Sequence, residues 1–183
     1  MHTNPALIRT PLESRAWSLL SLRQYDLVGL CSHHLREDDS IEMVSVLSNP
    51  ALYEFTGGIP PTEAELADRY SRQVNGPSSA QKRWHNWIVR LATDNVAVGY
   101  VQATVGRDIA EIAWVIGVPW QGNGYASEAV RALKERLVDT AGVSQIEAHI
   151  HPDHQASQHV ARAVGLHPTG ETVDGEETWS WQP

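Results

Sequence analysis

Polar and hydrophobic positions alternate along the middle of the chain in three consecutive segments. Residues 84–92, 96–105 and 109–117 are each rich in β-branched or aromatic side chains, which favour extended backbone. Three residues separate each segment from the next. Because connections this short favour hairpins, the pattern predicts three antiparallel strands in the centre of the fold.

Apolar residues recur at helical spacing after these strands. Residues 155–164 place Val160 and Val164 on one side of a short helix, which Gly165 ends. Residues 125–138 give the strongest amphipathic pattern, since one helical face collects Ala126, Ala129, Val130, Leu133 and Leu137. We therefore predict two helices in the C-terminal half, with their apolar faces against the sheet.

Capping boxes predict two further helices, which precede the three strands. In a capping box, a side-chain acceptor stands three residues before a Glu. Residues 39–42 and 62–65 have this spacing. The first helix continues with Ile41, Val44 and Leu47 at helical spacing, and the second with Leu66 and Tyr70 facing inward.

The remaining strands lie at the two ends of the chain. Residues 27–34 and 145–151 have strand-like composition, and Asp174 with Gly175 forms a hairpin turn between two terminal strands. The predicted order is β-α-α-β-β-β-α-β-α-β-β. This order indicates an α+β fold with a mixed, mostly antiparallel central sheet flanked by helices.

Length and charge narrow the class of protein. The chain has 183 residues, 42% of them hydrophobic, and a formal charge of −8. We predict a single folded domain over residues 25–183, preceded by an N-terminal extension over residues 1–24 that packs loosely or serves an interface. An acidic surface repels phosphate backbones, so we expect no nucleic-acid partner, while a cationic substrate is compatible.

Cysteine content and hydropathy predict the compartment. Cys31 is the single cysteine, so an intrachain disulfide is excluded, as is typical of a reducing cytosol. No apolar stretch approaches the roughly 20 residues of a membrane span. We therefore expect a cytoplasmic protein without a membrane partner.

The run over residues 118–129 carries the clearest chemical signal. A predicted strand ends there, a turn with Gly122 and Gly124 follows, and a helix opens at Tyr125. The first amides of a helix lack intrahelical partners and its dipole favours anions, so such a turn suits a diphosphate. The phosphate-reaching lysine of a P-loop and the third glycine of a dinucleotide fingerprint are both missing. An ordinary glycine-containing turn is the alternative.

Two motifs in this sequence resemble those of the GNAT superfamily of acyl-CoA-dependent N-acyltransferases. Gln121-x-x-Gly124-x-Ala126 resembles the family's Gln/Arg-x-x-Gly-x-Gly/Ala signature, at the same place between strand and helix. Residues 111–129 are especially similar to the ribosomal-protein-acetylating, RimJ/RimL-like branch. Residues 151–157 are similar to that branch's His/Asn-Pro-x-Asn-x-x-Ser segment. The resemblance implies a GNAT-like sheet and covers roughly residues 27–181.

The resemblance also implies how acetyl-CoA is held. Val115 and Ile116 are the expected backbone contacts of the pantetheine arm, and His154 stands where the family usually has Asn. The expected diphosphate contacts, mainly backbone amides, are Gln121, Gly122, Asn123, Gly124, Tyr125 and Ala126.

Acetyl transfer to an amine needs a neutral nucleophile, a polarised carbonyl and a stabilised thiolate. Glu111 is our candidate base, because relatives with the same Ala-Glu-Ile sequence often have a functional glutamate there. Glu54 is the second candidate base. Ser157, in the second motif, is the candidate hydrogen-bond donor to the departing sulfur. The alternative for each is an ordinary solvated side chain, with Glu111 on a strand, Glu54 in a loop and Ser157 on a helix surface.

Aromatic residues and histidines suggest further contacts. We expect Tyr53, Phe55 and Trp87 to line an acceptor pocket. His149, His151, His154 and His159 superficially suggest a metal centre, but no cysteine or carboxylate completes a recognisable ligand spacing. We therefore expect acetyl-CoA as co-substrate and no metal.

These features predict an N-acetyltransferase that moves the acetyl group directly to a primary amine of a small molecule in a ternary complex. Because Cys31 is far in sequence from both motifs, no acyl-cysteine intermediate is expected. The alternatives are an enzyme that acetylates a protein N-terminus and a non-catalytic acyl-CoA sensor. The sequence is also compatible with a homodimer.

Overall fold

The computed structural model describes residues 29–183, which form one seven-stranded sheet with the order β1-β2-β3-β4-β5-β7-β6. Every neighbouring pair is antiparallel except β4 and β5, which are parallel. The strands are β1 (Leu30–His34), β2 (Arg83–Leu91), β3 (Ala97–Val105), β4 (Ile109–Ile116), β5 (Gln145–Ile150), β6 (His167–Val173) and β7 (Glu176–Trp181).

Four α-helices cover the two faces of this sheet: α1 (Ser40–Val46), α2 (Glu63–Asn75), α3 (Tyr125–Ala141) and α4 (Gln155–Ala163). The larger hydrophobic cluster joins α3 and α4 to one face, and a smaller cluster joins α1 and α2 to the other. The predicted α+β class and element order are confirmed, with ends that differ by up to about three residues, as is usual for boundaries. The predicted N-terminal extension lies outside the described residues.

The capping box before α2 is confirmed. The Thr62 hydroxyl oxygen accepts a hydrogen bond from the Glu65 amide at 3.3 Å, and the Thr62 amide donates to the Glu65 carboxylate at 2.8 Å. Two amides at the start of the helix are thereby satisfied, which stabilises this end by about 1 kcal/mol. Leu66 and Tyr70 are buried, as predicted.

The capping box predicted before α1 does not form. Glu42 instead accepts a hydrogen bond from the Ala97 amide at 2.8 Å and pairs with Arg90 at 2.6 Å. Asp39 accepts from the Arg36 amide at 2.7 Å. The helix is also rotated relative to the prediction, because Ile41 is 65% exposed while Met43, Val46 and Leu47 are buried. Tertiary pairing of Glu42 with the β2–β3 turn outweighs local capping here.

A titratable side chain lies next to the core on β2. His85 stacks against Trp87 with 5.8 Å between ring centroids. Burial, together with the positive charges of His34 and Arg83, lowers the pKa of His85 to about 4. An unfolded histidine titrates near pH ~6.5, so below that pH the unfolded chain binds more protons than the folded one.

We therefore expect acid to destabilise the fold through His85. Its contribution is complete above about pH 6.5 and is lost as the pH falls through about 4. The urea midpoint of the wild type should decrease as the pH is lowered from about 6.5 to about 4. His85→Gln should make this decrease smaller. An equal fall in both proteins would contradict the assignment.

Candidate active site

A cleft opens where β4 and β5 stop pairing. The two strands are in register only at three positions, Ile109–Glu111 against Gln145–Glu147. Beyond Glu111 the strands separate, and a cleft of about 750 Å³ is lined by the rest of β4, by β5 and by the N-terminal ends of α3 and α4. The last paired rung, Glu111 with Glu147, therefore marks the closed end of the cleft.

The register decides which backbone groups of β4 face this cleft. The Gly117 amide bonds to the Val98 carbonyl and the Gly106 amide to the Ile109 carbonyl, so odd-numbered residues of β4 pair with β3. Val115 therefore bonds to β3 through its backbone and presents only its side chain to the cleft. Trp114 and Ile116 direct their backbone groups into the gap. The prediction that Val115 offers backbone groups to a pantetheine arm was therefore wrong. The backbone groups that face the gap are those of Trp114 and Ile116.

The glycine turn lies at the open end of the cleft. Gly122 and Gly124 have φ values of +78° and +81°, a left-handed conformation that favours glycine. A Cβ on either glycine would meet no atom within 4 Å, so the space beside the turn is open. Tyr125, Ala126 and Ser127 begin α3 at the cleft wall. Their amides precede the first intrahelical bond and are suited to a diphosphate.

Two predicted diphosphate contacts hold the turn in place instead of presenting side chains to a ligand. The Gln121 side-chain amide donates to the Ile116 carbonyl at 2.9 Å. The Asn123 side chain donates to the carbonyls of Trp120 and Gln121, both at 3.1 Å. These bonds tie the turn to the end of β4, so the strand and the helix N-terminus keep a fixed separation.

His154 caps the N-terminus of α4. Its Nδ1 accepts a hydrogen bond from the Ser157 amide at 3.0 Å. Burial lowers the pKa of His154, and the charge of His151 lowers it further, while Glu54 opposes both effects. The neutral ring then carries its proton on Nε2, which remains able to donate. Both His154 and Ser157 line the cleft.

The loop before α2 closes one side of the cleft through Phe55. The ring of Phe55 meets His154 edge-on at 4.5 Å and lies 5.4 Å from His151. Tyr53 does not line the cleft, because its hydroxyl donates to the Leu47 carbonyl at 2.9 Å and anchors the loop. Of the predicted acceptor contacts in this loop, Phe55 alone lies on the cleft wall.

Trp87 is not an acceptor contact. Its side chain is 0% exposed and belongs to the large core cluster beneath α3. The sequence shows that Trp84 and Trp87 point to opposite faces of β2, but it does not show which face is buried. The prediction for Trp87 was therefore wrong, because its face of β2 packs into the larger core cluster.

Carboxylates occupy the closed end and the wall of the cleft. Glu111 is exposed and lies outside the lining, on the same face of β4 as Ala113 and Val115, which do line it. Glu54, the second candidate base, lines the cleft directly. Sequence reasoning missed Glu176, also in the lining, because β7 inserts between β5 and β6 and this order has no local signal.

The four histidines near the C-terminal motif lie together, since all of them line the cleft: His149, His151, His154 and His159. Within residues 29–183, however, no group of three or more His, Cys, Asp or Glu side chains is arranged to hold a metal ion. No helix in the same part of the chain is long and apolar enough to cross a membrane.

The fold is that of the GNAT acetyltransferases, and the chain belongs to this family, whose acetyltransferase domain matches residues 30–167. A search among curated proteins gives no match.

Solved structures are similar in fold at low sequence identity. A GNAT acetyltransferase from Bacillus anthracis is 19% identical with a TM-score of 0.73, over 85% of this chain and 96% of that one. Aminoglycoside acetyltransferase AAC(6')-Ib with paromomycin and acetyl-CoA is 20% identical with a TM-score of 0.70, over 85% and 94%. A proposed ribosomal-protein-serine acetyltransferase from Vibrio cholerae is 17% identical with a TM-score of 0.66, over 85% and 94%.

Proposed function

We propose that this protein transfers the acetyl group of acetyl-CoA to a primary amine of a small molecule, directly and within a ternary complex. The observation that carries the proposal is the gap between β4 and β5, which has an anion-binding turn at its open end. A long, extended thioester ligand with a diphosphate fits such a gap. Family membership and the CoA-bound structures of similar fold support it.

The direction of the cleft orients the cofactor. The diphosphate would rest on the amides between Gly122 and Ala126, and the pantetheine arm would follow β4 along the gap-facing backbone of Trp114 and Ile116, whose carbonyl already accepts from Gln121. The thioester would then lie toward the closed end, beyond which Glu111 and Glu147 pair. Ser157, in the first turn of α4, would donate a hydrogen bond to the departing sulfur.

The charge of the cleft favours a cationic acceptor. Glu54 and Glu176 line it and Glu111 lies at its closed end, whereas no Lys or Arg is among its described lining residues. An ammonium group is attracted to such a wall. The acetyl group would enter from the side of the α3 N-terminus and the amine along the sheet face that carries Ala113 and His149.

Direct transfer requires no covalent enzyme intermediate. Glu111, acting through a water molecule, would remove a proton from the ammonium so that the free amine attacks the thioester carbon. The C–N bond forms, the C–S bond breaks, and the thiolate meets the hydroxyl of Ser157. Cys31 takes no part, because it lies on β1, three strands away from β4, with its sulfur 3.8 Å from the Leu91 carbonyl.

Glu111→Gln tests the proposed base. We expect kcat at neutral pH to fall about 10²-fold, the low end for general base catalysis, because the carboxylate acts through water. The loss should shrink as the pH rises, since solution then supplies the free amine. CoA affinity should stay unchanged. Glu171→Gln on exposed β6 is the matched control.

Glu54→Gln separates the two candidate bases. A loss of kcat in this variant, together with full activity of Glu111→Gln, would move the role of base to Glu54. Both rates would be followed as thiol release from acetyl-CoA at several pH values.

The acceptor is best found with a panel of amines. Kanamycin, ribostamycin and paromomycin belong in it because aminoglycoside acetyltransferases share this fold. A polyamine and free peptide N-termini complete it. The proposal expects thiol release with at least one small-molecule amine. Release with peptides alone would favour the second candidate, acetylation of a protein N-terminus, which the RimJ/RimL-like motif and the Vibrio cholerae structure support. CoA binding without any release would indicate a sensor.

A further inference from the structure

His149 lies at the closed end of the cleft, where the thioester is expected. It is the first residue with its backbone directed toward β4 beyond the last paired rung of Glu111 with Glu147, and its side chain lines the cleft. Its neighbours Ala148 and Ile150 are buried toward α4, so the His149 side chain lies on the opposite, acceptor-facing side of the sheet.

Thr178 holds one edge of the His149 ring. Its hydroxyl lies 3.3 Å from Nδ1 of His149, and its residue is only 4% exposed. A hydroxyl both donates and accepts, so this contact is kept whether Nδ1 carries a hydrogen or a lone pair. Nε2 is then free to exchange a proton on the side away from β7.

The reaction needs a proton carrier in addition to a base. An ammonium acceptor loses one proton before attack and a second as the C–N bond forms, while the sulfur must gain one to leave as a thiol. The first proton goes to solvent. A serine hydroxyl is a weak acid, so Ser157 stabilises the thiolate without supplying the proton.

We propose that His149 is a second catalytic residue, which carries this second proton from the amine nitrogen to the sulfur. The inference rests on the proposed acetyl transfer. Nε2 takes the proton that the nitrogen loses on C–N bond formation and gives it to the sulfur as the C–S bond breaks. The ring ends with the same number of protons with which it began, and no further reactant is required.

The other histidines of the cleft are less suited. Nδ1 of His154 is engaged in the cap of α4, and Nδ1 of His151 accepts from the Asp153 amide at 3.2 Å. His159 lies on α4, on the opposite side of the sheet from the acceptor face. His149 alone among them projects from the strand that forms the gap.

Charges around His149 favour transient protonation. Glu54 and Glu176 line the same cleft as His149, and Glu111 and Glu147 form the last paired rung of β4 and β5 beside it. The other titratable groups of the lining are Tyr125, His151, His154 and His159. An imidazolium formed during the reaction is stabilised by such a surrounding, and histidine is the side chain most suited to proton exchange near neutral pH.

His149→Ala tests the assignment in the full-length protein with the most active amine of the panel. We expect kcat to fall about 10²-fold. Unlike the loss in Glu111→Gln, this one should persist at alkaline pH, because the second proton is lost only after attack. Added imidazole should restore part of kcat. His149→Gln should behave in the same way without imidazole rescue. His167→Ala, on exposed β6, is the control.

CoA affinity, measured by calorimetry, should be equal in the wild type and both variants. Unchanged kcat in His149→Ala, or a loss that disappears at alkaline pH, would overturn the role while leaving acetyl transfer intact. A loss that imidazole does not relieve, accompanied by weaker CoA binding, would make His149 a structural residue. Wild-type protein that releases no thiol with any amine would overturn the proposed function and this role together.

Discussion

Gly124→Val is expected to raise the dissociation constant of CoA about 10³-fold. A branched side chain at φ +81° distorts the turn, and it occupies the open space where the diphosphate is expected. Two charge-assisted hydrogen bonds at roughly 2 kcal/mol each account for a loss of this size. Isothermal titration with CoA measures it.

Gly142→Val is the matched control. Gly142 ends the same helix, also in the left-handed region at φ +65°, and a Cβ there would also meet nothing within 4 Å. Both substitutions carry a similar backbone penalty of at least about 1–2 kcal/mol. We expect both to lower the Tm, but only Gly124→Val to lose CoA. Equal CoA affinity in the two variants would exclude the turn as the diphosphate site.

Gly99→Ala should be the most destabilising of the small substitutions in the sheet. A Cβ on Gly99 would lie 2.1 Å from the Val115 carbonyl oxygen and 3.0 Å from the Ile116 Cα, so backbone atoms of β4 would have to move. We expect a loss of about 3 kcal/mol, the upper range for overpacking, and a fall in Tm of about 6–12 °C. CoA affinity should fall as well, because this part of β4 forms the cleft wall.

Gly106→Ala is the comparison for that substitution, because Gly106 directly follows the same strand. Neither Gly99 nor Gly106 has a positive φ, so the two substitutions differ only in the space around the added Cβ. Its Cβ would be 3.6 Å from the Ile109 carbonyl oxygen, an ordinary contact. Thermal unfolding should show a much smaller change. A stable Gly99→Ala protein with normal CoA binding would contradict the close approach of β3 and β4.

Local signals in the sequence predicted most elements and one part of the site. The hydrophobic alternation located β2, β3 and β4, and the Thr62 box located the start of α2. The turn at Gly122 and Gly124 was recognisable because left-handed glycines before a helix depend on neighbouring residues only. Such features need no knowledge of which strands meet.

The remaining features depend on contacts between distant segments. The backbone contact predicted at Val115 fails because the sequence does not reveal that odd-numbered residues of β4 bond to β3. Trp87 was misplaced for a similar reason, since both faces of β2 carry a tryptophan. Glu176 and the pairing of His149 with Thr178 follow from the position of β7 beside β5, which no local pattern encodes.

A crystal structure with CoA tests the central claim most directly. The account predicts the diphosphate on the amides between Gly122 and Ala126, the pantetheine arm along Trp114 and Ile116, and the sulfur at the closed end between Ser157 and His149. A diphosphate bound at any other place, or a pantetheine arm outside the gap between β4 and β5, would contradict it.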